Sequence, residues 1–293
     1  MDLLGKNIPE ERIDEIINTV RKKKELSTVS ESIILSELEL ILKKDGKILA
    51  SVSEGKSYPL EFIVKTIRAI LRERFGVFLS PKEFKERKET FEKLIKDISN
   101  IDIYKKLLGF HASTKERLPI YEKLYERIFA ITGKPHHISD LGCGMNPFSL
   151  PFMDLGHIHY FATDIDGQML GMIEKFFSTA HVHAVVGMLN LRNTEEYKLI
   201  QPSDVCFLFK LLDSIETKGH TLAEKLIKAI PSQWIVASFS TITMSGKKMN
   251  HPERGWIEQM LKRLGYKYEK LSFENEIFYV IKKSSSAAPA HCS

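Results

Sequence analysis

The chain has 293 residues, 43% hydrophobic and 28% charged, with a formal net charge of +5. Those proportions are those of an ordinary globular protein, and the length suits a Rossmann-type domain with a smaller appendage. No run approaches the roughly 20 consecutive apolar residues of a membrane span, and the N-terminal stretch lacks a basic-then-apolar secretion signal, so the cytoplasm is the expected compartment. The slight basic excess permits nucleic-acid binding without establishing it. Cys143, Cys206 and Cys292 form no CxxC pair, so neither a zinc site nor a disulfide framework is expected.

Residues 1–110 read as mostly helical. Residues 8–26 place apolar side chains at helical spacing behind Pro9, which suits the first turn. Residues 45–59, DGKILASVSEGKSYP, read as a short hairpin or a loop. Leu60 to Gly76 predicts an amphipathic helix ended by a glycine cap. Ser80 to Ser99 predicts another, with Ser80 as N-cap and Pro81 at the first helical position. From about residue 136 the pattern changes. HHISDLGCG, HIHYFATDID, VHAVVGML, DVCFLFKLL and QWIVASFS predict five strands, with GQMLGMIEKFFSTA and HTLAEKLIKAI as intervening helices. The alternation predicts a parallel sheet with helices on both faces. YKYEKLSF and EIFYVIKK then predict a closing antiparallel hairpin around Glu274, Asn275 and Glu276. The low-complexity residues 284–293 are expected to be a disordered tail.

The sharpest signal is DLGCGMNP, Asp140 to Pro147, directly after the first of these strands. A small-residue turn at a strand's carboxyl end lets a ligand approach the backbone closely. The pattern is GxGxN and not GxGxxG, and Pro147 removes an amide that a phosphate would need at the helix start. That favours a phosphate-free ligand over a pyrophosphate. Asp164, at the end of the second strand, is placed to accept hydrogen bonds from a ribose, whereas Asp166 better suits the N-cap of the next helix. In HASTKERLP, His111 to Pro119, Arg117 is able to pair bidentately with a carboxylate. By composition alone STKER reads better as a capping pattern, with Ser113 as N-cap and Glu116 at the third helical position.

At HASTKERL (His111–Leu118), DLGCGMNPFSLP (Asp140–Pro151), FKLLDSIE (Phe209–Glu216), SFSTITMSGKKM (Ser238–Met249) and EIFYVIKK (Glu276–Lys283) the sequence resembles the aminoglycoside-resistance 16S rRNA (guanine-N7) methyltransferases. The resemblance implies an α/β fold: a class I (Rossmann-like) methyltransferase sheet with a C-terminal antiparallel hairpin, preceded by an N-terminal helical domain. The expected division is an RNA-binding domain over 1–110, a methyltransferase domain over 111–283 and the tail. It implies S-adenosyl-L-methionine as cofactor and 16S rRNA in the 30S ribosomal subunit as partner of a monomeric enzyme. Arg117 would hold the cofactor's carboxylate, with His111, Ala112 and Ser113 lining the same pocket. Gly142 would lie against the methionine part and Asp164 would bind the ribose. Gly187, Met188 and Leu211 would lie near the adenine, and Phe78 would be the aromatic supplied by the N-terminal domain. Lys247 and Lys248 are candidate RNA contacts, set against a merely solvated loop. Lys210 either contacts the RNA or caps its strand end.

Four departures from the family's pattern stand out. Gly187 and Met188 replace a Gln-Asp pair, Asp213 replaces the proline of KLLP, Ser240 replaces the proline of SFP, and Asn250-His251-Pro252-Glu253 replaces an acidic stretch. No acid–base dyad is evident, and none is needed, because guanine N7 carries a free lone pair and the reaction requires positioning alone. Two other readings stay open: a methyltransferase of the same fold acting on another RNA or a small molecule, and a non-catalytic RNA-binding relative.

Overall fold

The computed structural model describes residues 2–23, 26–27, 29–54, 60–75, 81–216, 219–242, 249 and 252–284. The expectations for Gly76, Phe78, Ser80, Lys247, Lys248, Cys292 and the tail from residue 285 lie outside these described residues. The chain divides into two compact units, Met1–Leu79 with Ile165–Gln168, and Ser80–Asp164 with Met169–Ser293.

In the first unit a small antiparallel ladder, β1 (Asp2–Leu3) and β2 (Lys6–Asn7), precedes α1 (Glu10–Arg21), α2 (Glu31–Lys44), α3 (Gly46–Ser53) and α4 (Leu60–Phe75). Their apolar stripes close one core: Ile13, Ile16, Ile17 and Val20 of α1 join Ile34 and Leu38 of α2 and Ile63, Ile67 and Leu71 of α4. The spacing of three and four residues is that of one helix face. Residues 46–53 are helical, against the expected hairpin or loop. The Asp45 carboxylate accepts from the Lys47 amide at 2.9 Å and the Ile48 amide at 3.3 Å, which supplies the N-cap. Ile48 and Val52, four residues apart, are both buried. The run ILASV masks this spacing because its β-branched residues also favour strands.

The second unit begins with α5 (Pro81–Lys96), α6 (Ile101–Leu108), α7 (Ala112–Arg117) and α8 (Tyr121–Thr132). There follow β3 (His137–Leu141), β4 (His159–Asp164), α9 (Gly167–Thr179), β5 (His183–Met188), β6 (Ser203–Phe209), α10 (Leu212–Ile215), α11 (Thr221–Ala229) and β7 (Ser232–Ser240). The chain closes with α12 (Gly255–Leu264), β8 (Lys267–Ser272) and β9 (Glu276–Lys282). The seven strands lie in the order β5-β4-β3-β6-β7-β9-β8. The first five are parallel, and β9 runs antiparallel to both β7 and β8, so the five strands and the hairpin stand where the sequence pattern put them.

Side chains of β6 alternate between two cores: Val205, Phe207 and Phe209 face one, and Cys206 and Leu208 the other. The first core also takes Phe91 and Leu94 of α5 and Tyr104, Leu107 and Leu108 of α6. That packing sets the boundary of this unit at Ser80, earlier than the expected residue 111, because α5 and α6 bury their stripes among the same residues that cover the sheet. From β3 the strand order runs outward both ways, to β4-β5 and to β6-β7. The carboxyl end of β3 is therefore the crevice in which such sheets take ligands.

Both tryptophans, Trp234 and Trp256, lie in this second unit, so fluorescence reports its unfolding. Leu107→Ala is expected to lower the denaturation free energy read this way by about 2–5 kcal/mol, the cost of a buried leucine cavity. An unchanged midpoint would remove α6 from the core.

Candidate active site

Beyond β3 the backbone turns through Gly142 and Gly144 at φ of 63° and 50°. Both values favour glycine, and at Gly142 the lack of a side chain is a second requirement. A Cβ there would stand 2.5 Å from Leu211 Cδ1, so Leu211 fills the space a side chain would claim. At Gly144 a Cβ would approach His111 Nε2 at 3.6 Å, which places the imidazole over the turn. The turn is pinned to its neighbour strand twice. The Cys143 amide donates to the Thr163 carbonyl at 2.9 Å, and the Gly144 amide donates to Asp164 Oδ2 at 2.7 Å. Asp164 is thus held against the glycines. Asp166 instead accepts from the Gln168 amide at 2.9 Å, as a cap at the start of α9.

The asparagine of GxGxN has a structural part that the sequence pattern left unassigned. Asn146 is buried; its amide donates to Asp140 Oδ2 at 2.9 Å while its carbonyl oxygen accepts from Tyr121 at 3.2 Å. Tyr160 donates to the same Asp140 oxygen at 2.8 Å. Burial raises the Asp140 carboxyl to about 7, against the lowering effect of the Asn146 and Tyr160 hydrogen bonds and of Arg117. Asp140 Oδ1 is buried with no hydrogen-bond partner.

Arg117 ends α7 with a side chain only 2% exposed, beside Glu276, the first residue of β9, also 2% exposed. Its Nε lies 3.0 and 2.9 Å from the two Glu276 carboxylate oxygens. Its Nη2 lies 2.9 Å from Oε1 but off the hydrogen-bond line, so that nitrogen has no aligned acceptor. The guanidinium covers the Phe209 ring at 4.8 Å. Burial opposes its charge most, but the charge and hydrogen bond of Glu276, with Tyr121 and Tyr125, together outweigh burial and keep it ionised. Ser238 donates its hydroxyl to Glu276 and accepts from the Lys210 amide at 2.9 Å. Lys210, left-handed at φ 53°, pairs its ammonium with Glu116 and lies 3.6 Å from Glu276. These five residues form one network of ion pairs and hydrogen bonds joining α7, the residue after β6, β7 and β9.

The structure therefore brings His111, Arg117, Gly142, Asp164, Lys210 and Leu211 to one end of the sheet. Gly187 and Met188 are paired in register with Thr163 and Asp164, with Met188 41% exposed. Ala112 and Ser113 form the first turn of α7, and the N-cap is His111, not the expected Ser113. The Thr114 hydroxyl bonds instead to the Leu108 carbonyl, fixing the turn before α7. Glu276 is a site residue that the sequence pattern does not disclose, since there it reads as part of a turn.

The sequence pattern of the family described as "Ribosomal RNA methyltransferase (FmrO)" matches residues 102–280. The chain belongs to this family. A relative from Micromonospora echinospora named 16S rRNA (guanine(1405)-N(7))-methyltransferase is 27% identical over 295 residues, covering 94% of this chain and 98% of that one. A relative of the same name from Proteus mirabilis is 27% identical, covering 77% and 86%. The fold is shared with the crystal structure of the 16S rRNA methyltransferase RmtF in complex with S-adenosyl-L-homocysteine, at a TM-score of 0.76 and 20% identity, covering 94% and 99%.

Gly142→Ala is expected to weaken S-adenosylhomocysteine binding by at least about tenfold in calorimetry, since the new methyl must displace Leu211 and strain the backbone. Unchanged affinity would place the cofactor elsewhere. A raised folded-state carboxyl binds protons more tightly than the unfolded one, so its stabilisation is full below the unfolded value and is lost as pH rises to about 7. Without ligand, the wild type is expected to lose stability relative to Asp140→Asn from about pH 4 to 7, with the difference flat above about pH 8. Parallel melting curves across that window would contradict the burial of this charge.

Proposed function

We propose that this chain transfers the methyl group of S-adenosylmethionine to N7 of a guanine in 16S rRNA, acting as a cytoplasmic monomer on the 30S subunit. The observation that carries the reading is the turn at Gly142 and Gly144, bound to Asp164 and faced by His111 and Leu211, within the segment that matches the rRNA methyltransferase family. Among the described residues no helix is long and apolar enough to cross a membrane.

The residues present fit the cofactor. Two buried groups of opposite charge at this end of the sheet have an atom without an aligned hydrogen-bond partner, Arg117 Nη2 and Asp140 Oδ1. An amino acid's carboxylate and ammonium are the groups that would satisfy them. Asp164, with one oxygen fixed by the Gly144 amide, would take the ribose hydroxyls. Leu211, Gly187 and Met188 would bound the adenine, with Met188 offering apolar contact where the family pattern has a polar residue. His111, Ala112 and Ser113 would line the methionine end.

The bound cofactor supplies a sulfonium carbon as electrophile. Guanine N7, whose lone pair is free in the neutral base, would need only to be placed in line with that carbon. No proton moves, so the chain's task is placement and exclusion of water. Lys210 fits this account, since its side chain is engaged by Glu116 and Glu276. We assign it to holding the strand end, and RNA contact to Lys247 and Lys248, whose charge would meet phosphate.

The test is transfer of label from the methyl group of S-adenosylmethionine to purified 30S subunits, followed by nucleoside analysis. Labelled 7-methylguanosine is expected from wild type. Arg117→Ala is expected to weaken cofactor binding by at least about tenfold, the loss of one charge-assisted pairing. Label in another nucleoside, or only in a small molecule, would establish the alternative of a same-fold enzyme with a different acceptor.

A further inference from the structure

Three neighbouring strands each begin with a histidine, and the three are paired in register: His137 of β3, His159 of β4 and His183 of β5. The rings of His137 and His159 stack at 4.8 Å and 15°, and those of His159 and His183 at 5.3 Å and 23°. All three residues are exposed. The ladder starts from a fixed point. Asp204 Oδ2 accepts from the His136 and His137 amides at 2.8 Å each, and lies 3.7 Å from His137 Nδ1. It stands at the amino edge of the sheet, opposite the edge at which β3 presents Gly142.

Side chains two residues apart on a strand share a face, so the ladder lies on the face that carries Leu141 and Phe161. Helices α11 and α12 bury Leu226 and Ile257 in the core on that face. The connection from β5 to β6 adds only a short 3-10 helix, Thr194–Leu199, which buries Tyr197 there. The outer strands are left partly uncovered, and Val185, two residues beyond His183, is 49% exposed. A cleft of about 300 Å³ results, lined by the three histidines with Phe161, Val185 and Gln201 among others. That volume is at the lower end of those that hold small ligands.

Strand β5 is the edge of the sheet, so the stack ends at His183 with one ring face turned outward. Among the described residues, the ring of His159 is the only one against it. A further planar ring would continue the ladder. Imidazoles stack on unpaired bases as other aromatic side chains do, with little regard to sequence. The Gln201 amide can both donate and accept a hydrogen bond, which suits the polar rim of a base and not a hydrocarbon ring. A cleft at a sheet edge also admits a base still joined to its chain on both sides. We infer that the ladder of His137, His159 and His183 is a second RNA contact, taking an unpaired purine on the outer face of His183. Two fused rings give the larger overlap, hence a purine. The contact goes beyond the methyl-transfer reading, since transfer at the opposite edge can succeed or fail whether or not this cleft holds a base.

The experiment titrates a single-stranded oligouridine carrying one 2-aminopurine, whose fluorescence falls on stacking, with the full chain. S-adenosylhomocysteine is kept in excess, so that the cofactor crevice does not compete for the base. Wild type is expected to quench the probe saturably. His183→Ala is expected to weaken this binding about tenfold, the loss of one base–aromatic stack. His183→Phe keeps a ring and is expected to stay within about threefold of wild type. His183→Lys keeps a cation without a ring and is expected to match alanine. No quenching by wild type, or unchanged affinity in His183→Ala, overturns the proposal. Recovery by lysine and not by phenylalanine overturns the stacking argument. Adenosine monophosphate bound as tightly as the oligonucleotide overturns the assignment to RNA. If His183→Ala fails to fold, Val185→Asp decides: a carboxylate in the cleft is expected to repel the RNA chain and weaken binding about tenfold, and unchanged affinity there overturns the proposal.

Discussion

The site depends on a buried ion pair between residues 159 positions apart, Arg117 and Glu276. Two charges at 2% exposure are tolerated only when each is matched and hydrogen-bonded, and removal of one partner from such a pair typically costs about 3–5 kcal/mol. Glu276 meets this need by facing the guanidinium with both oxygens while taking the Ser238 hydroxyl. The pair does more than neutralise. Side-on contact through Nε fixes the plane of the guanidinium over Phe209 and leaves its far edge for another acceptor. Short helix α7, which six residues could not stabilise alone, is held in place by the same contact.

The parts of the site that were legible in the sequence are those encoded locally. Gly142 and Gly144 follow a strand directly, and the left-handed turn they make is a property of the chain at that point. Asp164 and Asp166 end the next strand, and their separate tasks, one against the Gly144 amide and one capping α9, follow from a spacing of two residues. Glu276 was not legible in this way. Beside Glu274 and Asn275 it reads as a turn acid, and only the pairing of β9 with β7 carries it opposite Ser240 and into the core. A signal was present in the burial the strand demands: an acid heading the otherwise apolar IFYVI run requires a cation nearby.

Ser113 shows the opposite failure. Serine followed three residues later by glutamate fits a capping pattern, yet Glu116 is drawn to Lys210 and the helix starts two residues earlier than that pattern requires. Tertiary charge pairing overrode a local rule. The early limit of the second unit is also a tertiary effect, but one of apolar burial. Charged surfaces on α5 and α6 make them look like the helices before them, and only their buried stripes, Phe91, Leu94, Tyr104 and Leu107, assign them to the sheet. Helix α3 was hidden for a different reason, since its β-branched residues fit two periodicities and Asp45 alone decided between them.

The insertion of β9 between β7 and β8 has a consequence for the order in which the protein becomes competent. The final strand of the sheet is central to its far half, and it carries the carboxylate that Arg117 requires. A chain still emerging during synthesis has its glycine turn, its acid and its guanidinium long before it has Glu276. The guanidinium stays unmatched until β9 has been made, so a product that stops short of Glu276 lacks the carboxylate that holds it.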